Sequence, residues 1–126
     1  MMTKNFEDFP VYHKSLDLIE KVYFFLKGQG LEREFEFINQ IKRAGFSVSN
    51  NIAEGSEYNN NKQFIKYLKI AKGSCAEVRS MMIVRKRLKL GEEKEAEEII
   101  ILSREISTNI SNFIKYLSAN IDKPKS

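Results

Sequence analysis

Lys62, Lys66, Lys69, Lys72 and Arg79 recur at intervals of three, four and seven, and Arg85, Lys86 and Arg87 follow as a run. On a helix these intervals return to one side, so the residues describe a basic ribbon. Ammonium and guanidinium groups in a row neutralise phosphates, which is the sequence-independent part of nucleic-acid binding. A solvated helix face whose last turn compensates the helix dipole accounts for the same residues. The sequence leaves both readings open.

The charge distribution gives the first reading its weight. The net charge of +4 conceals eleven Lys and Arg against four Glu between residues 36 and 90, a net +7, while residues 1–35 sum to −1 and residues 91–126 to −2. Such asymmetry is found in chains with an anionic partner, and a modest basic excess is also common on soluble proteins that bind none.

Arg43, Asn51, Glu54 and Glu77 form a second constellation. Arg43 and Glu54 stand about three helical turns apart on one face, too far for direct pairing. Each therefore requires a partner on another helix or another subunit. A structural polar network that fixes helix register or subunit contact is the expected role, with a ligand site as the alternative. Glu77 lies between Ser74 and Met81 on an otherwise apolar side, where a buried carboxylate must be paired.

Other chemistry finds little support. The chain has no Gly-rich phosphate loop ending in Lys-Ser or Lys-Thr, and no Cys or His spacing for metal. His13 is the one histidine, on the polar side of its helix, and has Pro10 three residues before it where a di-iron bundle would need Glu. Cys75 is the single cysteine and reads as a small core residue. We expect no catalytic residue, no metal and no cofactor. With neither a signal peptide nor a membrane span, the expected location is the cytoplasm.

The elements that position these residues follow from apolar periodicity. At 126 residues and 42% hydrophobic content, the chain has the size and composition of one domain. Four amphipathic helices are expected at about 9–27, 36–54, 61–88 and 92–120, and no stretch alternates with period two. In the first, Val11, Leu18, Val22 and Phe25 make one stripe and Tyr12, Leu16, Ile19, Tyr23 and Leu26 another. Asp8 is expected to cap it. The second carries Phe37, Ile41, Ala44, Val48 and Ile52 inward, with small residues that admit a close neighbour and Gly55 as its expected end. Asn60 and Gln63 suit a capping box at the start of the third. That helix holds two seams: Phe64, Leu68, Ala71, Cys75, Val78 and Met82, and beside them Tyr67, Ile70, Ser74, Met81, Val84 and Leu88. The fourth turns Ile99, Leu102, Ile106, Ile110, Phe113 and Leu117 inward; residues 123–126 are expected to fray. Short connectors make this an all-α, antiparallel up-down-up-down four-helix bundle. Phe24, Phe25, Ile83, Ile100 and Ile101 exceed what one core absorbs, so self-association is expected.

Several motifs also resemble one family. Gln40-Ile41-Lys42-Arg43-Ala44, Asn51-Ile52-Ala53-Glu54-Gly55, Phe64, Leu68, Ile70-Ala71-Lys72-Gly73-Ser74 and Glu77 are similar, in order and spacing, to the four-helix bundles encoded in intervening sequences of bacterial 23S rRNA genes. Phe6-Glu7-Asp8 and Val11-Tyr12-His13-Lys14 fit as well, so the resemblance spans most of residues 6–90. It departs at Tyr58, where Arg usually follows the Glu-Gly turn, and at Gln63, where Glu is usual. The resemblance implies a homopentameric ring. A weaker resemblance reaches the accessory pentamers of diversity-generating retroelements, basic barrels that bind nucleic acid and a reverse transcriptase. The resulting expectation is a non-enzymatic oligomer that binds RNA or DNA without sequence preference, and the alternative is a scaffold whose partner is another protein.

Overall fold

The computed structural model describes residues 5–121. A single 3-10 turn at Phe6–Asp8 leads into α1 (Pro10–Phe25), followed by α2 (Phe35–Ser56), α3 (Asn61–Leu88) and α4 (Glu93–Ala119). Among the described residues there is no strand. Each helix packs against its neighbours in the chain, and α1 closes the ring against α4. This is the expected antiparallel four-helix bundle, with α1 and α3 on one diagonal. The expected frayed tail, residues 123–126, lies outside the described residues. Among the described residues no helix is long and apolar enough to cross a membrane.

The core follows one stripe from each helix. Leu18, Val22 and Phe25 meet Ile41, Val48 and Ile52, then Phe64, Leu68, Cys75 and Met82, then Ile99, Ile106 and Ile110. At one end, Phe9, Phe64 and Phe113 form an aromatic cluster, with Phe113 edge-on to both of the others. Phe25, expected to add to the apolar excess, is buried instead and fills the other end beside Leu31. Phe35 is 67% exposed at the first position of α2.

Two helix ends differ from expectation, each for a local reason. Asp8 belongs to the 3-10 turn, and Phe9 takes the extended N-cap position of α1 with no side-chain cap. Pro10 at N1 needs no such partner for its own nitrogen. Gly55 does not terminate α2, which runs on to Ser56. A Cβ at Gly55 would stand 2.6 Å from the Tyr67 Cβ and 3.0 Å from the Phe64 ring, so this glycine serves close approach of α3. Asn60 caps α3 as expected, its side-chain oxygen accepting from the Gln63 N–H at 3.1 Å. At the far end of α3, Lys89 takes the left-handed conformation (φ 58°) and Leu90 N–H donates to Arg85 O. Gly91 (φ 70°) completes the turn, donating its N–H to Gln29 O and ties the two turns at this end of the bundle together.

Candidate nucleic-acid interface

The outward side of α3 carries the candidate site. Lys62, Lys66, Lys69, Lys72, Lys86 and Arg87 are all exposed, and none makes a salt bridge within the described residues. Gly73, Ala76, Glu77 and Ser80 are exposed on the same helix between the cations of its two halves. Arg79 is half-buried. One of its guanidinium nitrogens, Nη1, is buried without a hydrogen-bond partner.

Arg85 corrects the expected ribbon. It is 6% exposed, with Nε donating to Leu90 O at 2.8 Å and Nη1 to Glu93 Oε1 at 2.8 Å. The guanidinium thus satisfies the carbonyl of the α3–α4 turn and anchors the first turn of α4. Its hydrogen bond holds the Glu93 carboxyl below the usual carboxylate range, aided by the charges of Arg85 and Lys86 and opposed by desolvation. A sequence signal for this existed. Arg85 is four residues after Met81 and seven after Val78, which places it on the inward seams.

The second constellation does not form a network within the chain. Arg43 and Glu54 are exposed and make no hydrogen bond or ion pair within the described residues. Glu77 is also exposed and reaches only Gln40, whose amide donates to it at 3.5 Å. Asn51 pairs locally, donating to Ser47 O and Ser47 Oγ. The polar link that does cross α2 and α3 is Ser74 Oγ to Ser47 Oγ at 2.7 Å, between residues whose small size alone was legible in the sequence. Around Glu77, the second seam of α3 is half open: Ile70, Val84 and Leu88 are exposed, the last at 57%.

The opposite side of the bundle differs in character. The groove between α1 and α4 is a shallow concavity of about 450 Å³ lined by Asp17, Glu20, Lys21, Phe24, Glu95, Glu98 and Leu102. Lys14 is paired with Glu105 at 2.8 Å and Lys21 with Glu98 at 3.3 Å. Phe24 at 60% and Ile101 at 63% remain exposed on these two helices, and Ile83 at 60% is exposed on α3.

Nucleophilic and metal chemistry has no assembled site among the described residues. Cys75 is fully buried, and burial pushes its thiol up to about 11, with Arg79 opposing. His13 is exposed and its Nε2 lies 2.6 Å from Glu7 O. Among the described residues no group of three or more His, Cys, Asp or Glu side chains comes together to hold a metal ion.

Comparison with known proteins gives this geometry a family. No curated protein matches the chain. Among solved structures, it is similar to a protein of unknown function from the S23 ribosomal protein family of Bacteroides thetaiotaomicron. The two share 27% identity and a TM-score of 0.75, over 83% of this chain and 98% of that one. The sequence profile of the 23S rRNA-intervening sequence proteins matches residues 7–112, and the chain belongs to that family.

Proposed function

We propose that this protein is a non-enzymatic, homo-oligomeric bundle that binds RNA or DNA without sequence preference through the outward side of α3. The observation that carries the reading is that Lys62, Lys66, Lys69, Lys72, Lys86 and Arg87 are exposed and without salt bridges. Unpaired surface cations hold condensed counterions' places on a polyanion, and their release drives binding. Arg85 contributes only by fixing the turn beside them, and Arg79 flanks the ribbon with a half-buried guanidinium.

Self-association is part of the proposal. Phe24, Ile83, Leu88 and Ile101 leave apolar surface on three helices that no other part of the described chain covers, and such surface favours a partner. Arg43, Glu54 and Glu77 lie exposed beside the open seam of α3 and would find their partners in another copy. A homopentamer is the number the family resemblance implies, and repetition around a ring would multiply the local positive charge. The distant resemblance to retroelement accessory proteins points to the same use, in a cytoplasmic setting.

The test is fluorescence anisotropy with a generic labelled oligonucleotide across a salt series, alongside sedimentation of the free protein. The expected result is binding that weakens steeply as salt rises, by a species several times the 14.7 kDa chain mass. An oligomer that binds no oligonucleotide at low salt would favour the second reading, a scaffold that uses its exposed apolar residues to hold another protein.

A further inference from the structure

Tyr58 lies in the connector after α2 and stacks on Tyr67 of α3. The ring centroids are 5.4 Å apart with planes 18° from parallel, and the two hydroxyls are 3.2 Å apart. The pair is therefore fixed at its faces and at its polar tips. It is also fixed from beneath, because Gly55 brings the α2 backbone against the Tyr67 Cβ, where any larger residue would collide. Tyr58 nevertheless remains 39% exposed. With one face on Tyr67, its exposed part is the other face and rim: a flat aromatic ledge held rigid by its own support.

The ledge has charged neighbours of both signs. Lys62 and Lys66 are exposed on the first two turns of α3, which follow the connector directly, on a different side of the helix from Tyr67. Glu54 and Glu57 are exposed on the α2 side. A phosphodiester strand is thus repelled from the α2 side and attracted to the α3 side. Proteins hold single strands by combining an aromatic face with a track of cations: phosphates follow the cations while bases stack on the ring. Every base has a π face, so this adds affinity without reading sequence. A duplex, whose bases are already stacked and paired, cannot use it.

We infer that the Tyr58–Tyr67 stack is a base platform and that the nucleic acid this protein takes is single-stranded, with its phosphates on Lys62 and Lys66. The inference rests on the reading of α3 as a nucleic-acid face and adds the strandedness of the ligand.

The experiment compares three labelled probes of one length at low salt: an intact single strand, an abasic single strand and a duplex, each with the wild type, Tyr58→Ala and Tyr58→Phe. The wild type is expected to bind the intact strand about tenfold more tightly than the abasic strand, a typical gain for one stacked base. Tyr58→Ala should lose that margin and leave abasic-strand affinity unchanged, while Tyr58→Phe, which keeps the ring and loses the hydroxyl, should retain most of it. Equal affinity for intact and abasic strands in the wild type, or an undiminished margin in a folded Tyr58→Ala protein, would overturn the platform and leave the basic face standing. Failure of all three probes to bind would overturn both.

Discussion

Lys14 and Lys21 each meet a carboxylate across the α1–α4 groove, whereas Lys62, Lys66 and Lys69 on α3 meet none. The groove adds Asp17, Glu20 and Glu95 to its paired charges, and the outward side of α3 adds Lys72, Lys86 and Arg87 to its unpaired ones. A cation with a carboxylate at 3 Å is neutralised where it stands, and its field fades within a few ångströms. Cations without such partners sum into a potential felt at a Debye length, about 8–10 Å at ordinary salt. The same residue type therefore has two uses in one small bundle: it staples α1 to α4, and it charges the free side of α3.

Arg85 shows how a member of one class passes into the other. By sequence it belongs to the basic run, and by structure it is a buried staple between the α3–α4 turn and Glu93. This divides the cations into groups that mutation can separate. The largest effect on stability is expected at Arg85. Arg85→Ala strands the Leu90 carbonyl and removes the anchor of α4, a loss of about 1–3 kcal/mol in chemical denaturation. Oligonucleotide affinity of the folded fraction should stay within about twofold of wild type, because this guanidinium is not part of the free surface. A stable Arg85→Ala protein with much weaker binding would move Arg85 back into the ribbon.

The next effect is on pH dependence. The Glu93 carboxyl is held below its unfolded value by Arg85, so its contribution to stability is present above the unfolded carboxylate range and is lost as pH falls through the depressed folded value. Denaturation midpoints followed from neutral pH into the acid range should show this loss in the wild type, and Glu93→Gln should be less stable at neutral pH and flatter toward acid. Identical profiles for the two proteins would show that Glu93 carries no linkage. The smallest effect is expected at Lys14→Ala, since exposed pairs of this kind contribute about 0–1 kcal/mol. A loss as large as that at Arg85 would mean that the α1–α4 staple, and not the buried one, holds the bundle's edge.

The contrast between these regions also marks what the sequence made legible. Leu18 and Val22 on α1, and Phe64, Leu68, Cys75 and Met82 on α3, are core by period alone, since helical geometry converts spacing directly into direction. The Asn60 cap is equally local. Gly55 was not legible as a packing gap, because a glycine that ends a helix and one that admits a neighbouring ring look alike until the neighbour is placed. Charge alone places Arg85 in the basic run, whereas its register with Val78 and Met81 points inward, where it is buried. The Tyr58–Tyr67 stack joins a connector to a helix across a turn, and no periodicity spans a turn. Arg43 and Glu54 stand too far apart to pair within α2, and among the described residues the chain supplies only the Gln40 contact to Glu77.

The two faces can be set against each other in one titration. Lys62, Lys66 and Lys69 are changed to Glu in one variant and Lys14 and Lys21 to Glu in another, and affinity for a single-stranded oligonucleotide is followed against salt by anisotropy. The account predicts that the α3 variant binds at least about a hundredfold more weakly at low salt, with a slope of log affinity against log salt shallower by about two, while the α1–α4 variant keeps the wild-type slope. Equal losses in both variants, or an α3 variant indistinguishable from wild type, would contradict the assignment of the binding surface to α3.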